Sequence, residues 1–141
     1  MAFDEVISEP EQWANRVIRL PLIDKGLPIN AFYWNNLPAN LINNAEARPR
    51  EYVVCDPNSD KRLGEFSDNK LNSREAFIQC IVQCRVENGE EKSEEIAYFI
   101  ESKIIEELER YGNVRTLTNT SFGYDEQTNL ITRTVSCWVR Y

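Results

Sequence analysis

The chain contains no histidine, which removes the commonest general base, proton shuttle and metal ligand in one stroke. Its five glycines form no G-x-x-x-x-G-K, G-x-G-x-x-G or G-x-S-x-G pattern, so neither a phosphate cradle nor a nucleophile elbow is written into it. Positive charge is in deficit: 16 Lys and Arg stand against 23 Asp and Glu, a formal net charge of −7. Stable contact with nucleic acid phosphates depends on clustered Lys and Arg and is not expected. Nowhere do about 18 apolar residues stand together. Met1-Ala2-Phe3-Asp4-Glu5 carries acids where a secretory signal has a basic segment and an apolar run. A soluble protein made in a cytoplasm is the expectation.

Cysteine is present but not as close pairs. Cys55, Cys80, Cys84 and Cys137 lie inside apparent strands. Cys80 and Cys84 point the same way, yet at about 3.3 Å per residue they stand roughly 13 Å apart, too far for one metal or one disulfide. All four read as small buried hydrophobes in a reducing compartment.

The 141 residues, 42% hydrophobic and 11% aromatic, predict one domain spanning 1–141 with a single core. Its centre is Ala76 to Tyr111. Ile78, Cys80, Val82, Cys84 and Val86 alternate as in a strand with one buried face. Ile96, Phe99, Ile100, Ile104, Leu108 and Tyr111 then recur every three or four residues, the stripe of an amphipathic helix over 93–111 that covers that face. Glu94 and Glu95 at its start, Arg110 at its end and Gly112 beyond fit the macrodipole and a glycine stop.

Upstream, Ser8 as cap, Pro10 in the first turn and Glu11 in the capping-box position predict a helix. Trp13, Val17, Ile18 and Leu20 form its apolar side, Pro21 argues against a long continuation, and Lys25-Gly26 closes the segment. Short strands follow at 31–34 and 51–55, separated by a weakly patterned 39–49. Asp56-Pro57-Asn58-Ser59-Asp60 reads as a turn, lacking the spacing and glycine of a calcium loop. Residues 58–74 are mostly polar and read as an exposed excursion, a docking arm or a solvated loop. Strands at 114–120 and 131–141 complete the order, with Ile131, Val135, Cys137, Val139 and Tyr141 on one face. Runs of strands with helices on one side predict an α+β fold: a mostly antiparallel sheet with the long helix and a shorter N-terminal helix packed on one side.

Glu94-Glu95, Glu106-Glu107 and Asp125-Glu126 are adjacent acids. Neighbouring helical residues point about 100° apart, so such pairs read as solvated charges, with Glu106 and Arg110 a surface pair. Trp13, Trp34 and Trp138 lack interleaved basic residues and read as core and interface anchors.

The carboxy-terminal half has a long strand, a helix opening on Ser-Glu-Glu, a strand, the Gly123-Tyr124-Asp125 turn and a terminal strand. In this order it resembles the tail terminator proteins of long-tailed bacteriophages. Tyr33-Trp34-Asn35-Asn36-Leu37-Pro38 is similar to a segment near the start of related tail-completion proteins. The resemblance implies a virion subunit, without catalytic residues, cofactor or metal, that assembles in the host cytoplasm. It would form a homohexameric ring on the head-proximal end of the tail tube, end tube polymerisation and receive the head–tail connector or neck proteins. The sheath is a further candidate partner, no membrane is involved, and DNA would pass an acidic channel without specific binding. Lys61, Arg62, Glu65 and Phe66 in the excursion, with Trp34 and Tyr124, are the expected interaction residues. Two alternatives stay open: a head-completion or neck protein, and a small acidic inhibitor presenting Glu94, Glu101, Glu106 and Glu109.

Overall fold

A computed structural model describes residues 9–63, 74–85, 87, 89–119, 123–126 and 129–140, with side chains undescribed at 9, 30, 58–63, 74 and 115. The fold is α+β. Its chain order begins with helices α1 (Glu9–Ala14) and α2 (Leu20–Asp24), joined by a π-helical stretch, Asn15–Arg19. Strand β1 (Phe32–Trp34), a helical turn α3 (Ala39–Ile42), and long strands β2 (Glu51–Leu63) and β3 (Arg74–Arg85) follow. Helix α4 (Gly89–Tyr111), β4 (Val114–Asn119), β5 (Gly123–Asp125) and β6 (Leu130–Arg140) complete it.

The six strands form one sheet in the order β1-β2-β3-β6-β4, with β5 beside β4 on the same edge of β6. All pairs are antiparallel except β1 with β2, which run parallel. The alternation in β3 fixes the buried face. Ile78, Cys80, Val82 and Cys84 join Val53 and Cys55 of β2 and Val135, Cys137 and Val139 of β6 under Trp13, Val17 and Ile18 and under Ala97, Ile100 and Ile104. Both helical elements therefore cover one side of the sheet. On the other side Ala31, Tyr52, Val54 and Leu130 form a smaller cluster. Among the described residues, no helix is long and apolar enough to cross a membrane.

Several expectations are corrected. Asp56–Asp60 is not a turn but part of β2, which pairs with β3 out to Leu63↔Arg74. The register slips between Asp56↔Gln79 and Asp60↔Phe77, and the bulge holds Pro57, which cannot donate to a ladder and is tolerated in a strand at such a slip. Residues 58–63 are thus strand and not excursion; residues 64–73 lie outside the described residues, as do Ser8, Val86 and Tyr141.

The first helical segment closes at Lys25-Gly26, as expected, and runs through Pro21 to get there. Leu20 N–H bonds to Asn15 O, five residues back, so the ladder has already widened into a π turn when the proline ring arrives, and no i−4 bond is lost to it. Leu20, expected inside, is 45% exposed.

Helix α4 begins four residues earlier than its apolar periodicity suggests, and its buried line is Gly89, Ser93, Ala97, Ile100, Ile104 and Glu107. Leu108 and Tyr111, expected on the stripe, are 39% and 61% exposed. Small residues carry little hydrophobic signal but permit close approach. A Cβ on Gly89 would lie 3.1 Å from the Cys84 carbonyl oxygen and 3.3 Å from Ile131 Cδ1. At the other end Gly112 adopts φ +65° and its N–H bonds to Leu108 O at 2.8 Å, the left-handed stop expected there.

Candidate functional site

Of the residues expected to make contacts, Trp34 and Tyr124 are the two whose side chains are described, and they stand apart. Trp34 is half-buried on the edge strand β1, opposite Cys55 and edge-on to Phe32 at 5.1 Å. Tyr124 is exposed on β5, where its hydroxyl donates to Asn129 Oδ1 at 2.8 Å. Four strand spacings separate β1 from β5 across the sheet, roughly 19 Å at about 4.8 Å each. Lys61 and Arg62 sit on β2 opposite Ala76 and Glu75; Glu65 and Phe66 lie outside the described residues.

The two outermost strands, β1 and β4, are themselves blunted. β1 is three residues long. On β4 the register slips between Arg115↔Trp138 and Thr118↔Ser136, with the exposed Thr116 at φ +57°. A β-branched residue in the left-handed region is strained, and short or bulged edges discourage open-ended strand pairing.

A groove runs between α1–α2 and α4, which the sequence reading did not anticipate. Its anchor is Glu107, 7% exposed although read from sequence as a solvated charge. Its Oε1 accepts from Trp13 Nε1 at 3.1 Å and Arg16 Nη2 at 2.8 Å, and its Oε2 from Arg16 Nη1 at 3.4 Å. That charge-assisted bond raises the Arg16 pKa despite partial burial. The available signal was phase: Glu107 lies three residues after Ile104 and seven after Ile100, and a buried indole N–H needs an acceptor. Its neighbour Glu106 is exposed and meets Lys103 at 3.4 Å in place of the expected Arg110.

Two cavities open along the groove. One of about 180 Å³ is bounded by Arg16, Val17, Pro21, Lys103, Glu106, Glu107 and Arg110; the other, about 150 Å³, lies where Leu22, Leu27, Ile96 and Phe99 meet Lys25, Lys92, Glu51 and Glu95. The Phe99 ring stands beneath two ammonium groups, Lys25 Nζ at 5.2 Å and Lys103 Nζ at 5.3 Å from its centroid. Five cations thus border a partly apolar crevice against four carboxylates, on a chain of net charge −7.

Elsewhere the ionisable groups serve packing. Arg133 is on the helix-facing side of β6, donating through Nε to Ser93 Oγ at 3.0 Å and pairing with Glu94 at 3.4 Å. All four cysteines are buried and unbridged. Cys55 and Cys80, directly opposite across β2 and β3, have Sγ atoms 3.4 Å apart. Burial pushes the Cys55 and Cys137 thiols well up and Cys84 to about 12, so they are held in the unreactive thiol form. No group of three His, Cys, Asp or Glu among the described residues could hold a metal ion.

What this arrangement offers is an α+β fold with a charged, partly apolar groove between α1–α2 and α4. The chain matches no protein-family model and has no significant match among curated proteins.

Proposed function

We propose that this protein is a structural subunit of a phage tail, assembling as a ring that caps the tail tube, ends its polymerisation and receives the head–tail connector. The observation that carries the reading is the exposed apolar surface of α4: Tyr98 (56% exposed) and Ile105 stand in solvent on its outer face, and Leu108 and Tyr111 at its C-terminal end. Several exposed large apolar side chains on one helix mark a protein contact surface. The phage tail in particular rests on the resemblance in sequence, of which Gly123-Tyr124-Asp125, expected as a turn, is instead strand β5 paired with β6. An inhibitor presenting Glu94, Glu101, Glu106 and Glu109 is less favoured, because Glu94 and Glu106 are engaged by Arg133 and Lys103 and Glu101 is half-buried. Electron microscopy of the gold-labelled protein mixed with purified tail tubes tests the proposal. Label at one end of each tube, with rings there, is the expected result. Random or absent label, or a one-to-one complex with an unrelated enzyme, overturns it.

A further inference from the structure

Helix α4 carries two surfaces of opposite character. At 100° per residue, Glu91, Glu94, Tyr98, Ile105 and Glu109 fall within an arc of about 60°, and all five are exposed. They form an acidic ridge with two apolar side chains set into it. Round the helix, on the flank facing α1–α2, Lys92, Lys103 and Arg110 join Arg16 and Lys25 to border the groove with its Phe99 floor. Ridge and groove both run from residue 91 or 92 to residue 109 or 110, about 27 Å of helix at 1.5 Å per residue. They match in length, and their charges are opposite in sign: the ridge presents Glu91 and Glu109 beside Glu94, which is paired with Arg133, and the groove has a net excess of one cation.

We infer that the groove of one copy receives the α4 ridge of the next. This rests on the ring-forming reading above and names the faces that would join. A second copy is the occupant because the same chain presents the complementary ridge, whereas its short and bulged sheet edges are poor material for lateral strand pairing. The contact is an apolar helix face laid in a groove, with charge setting register and partner. Groove and ridge are different patches, so the contact is heterologous and propagates in one direction, closing into a ring if the rotation allows.

The test uses two double variants of the full chain. Lys103→Glu with Arg110→Glu reverses the groove; Glu91→Lys with Glu109→Lys reverses the ridge at two exposed positions. Self-association is followed by light scattering and sedimentation, alone and with tube ends as template. Each variant alone should associate on the order of a hundredfold more weakly than the unaltered protein. An equimolar mixture, in which each variant keeps one intact face, should recover heterodimers that weaken as salt is raised. Variants that assemble like the unaltered protein, or a mixture that recovers nothing although both fold, overturn the pairing of these faces and leave the ring intact. Unaltered protein that never self-associates, even on tube ends, overturns both.

Discussion

Replacing Glu107 asks whether a buried carboxylate holds the two helical elements together. In Glu107→Ala the buried Trp13 indole N–H, now bonded at 3.1 Å, loses its acceptor, at a cost of about 1–3 kcal/mol. Losing the Arg16 pair adds roughly 1 kcal/mol at most, because that guanidinium is 59% exposed. The whole should come to about 1–4 kcal/mol, near 4 °C of melting temperature per kcal/mol at this chain length. Glu107→Gln keeps an oxygen for the indole and gives up only the charge, so about 1 kcal/mol or less is expected. Urea unfolding followed by circular dichroism provides the comparison. A Trp13→Phe cycle isolates the bond, with a coupling of roughly 1–2 kcal/mol expected. Equal losses for the Ala and Gln variants, or a coupling below about 0.5 kcal/mol, would refute the reasoning, since the indole would then not depend on that oxygen.

Gly89→Ala should destabilise by about 1 kcal/mol or more despite alanine's helix propensity, because the backbone carbonyl of Cys84 cannot withdraw from the new methyl; an unchanged or raised melting temperature would contradict this. Thr116→Gly should stabilise by about 1 kcal/mol through relief of the left-handed strain, outweighing glycine's entropy, and a lower denaturation midpoint would count against it. The buried thiols set a pH dependence. Unfolded cysteines ionise near 9.0 while folded Cys84 waits until about 12, so stability is intact below pH 9 and falls as pH rises between these values; a flat melting temperature over that window would mean the thiols are not buried in solution. Val82→Asp, at a position with no exposure under α4, should abolish cooperative folding by burying an unpaired carboxylate, and a soluble, sharply melting variant would show the strand facing the other way.

The amino-acid order by itself determined the class and the central unit. The alternation at Ile78, Cys80, Val82 and Cys84 and the 3.6-residue period that follows specify a half-covered strand and its covering helix, because burial acts on each residue through its place in a local repeat. Gly112 marked the helix stop for an equally local reason, its tolerance of positive φ. Tertiary structure alone decided what depends on distant neighbours. Pro57 became a strand bulge because β3 continues beside it, and Pro21 was accommodated because the preceding turn widened. Glu107 turned inward because Trp13 and Arg16, more than 90 residues earlier in the chain, meet it there. The groove exists only where two segments far apart in sequence lie side by side, and no pattern within either segment encodes the space between them.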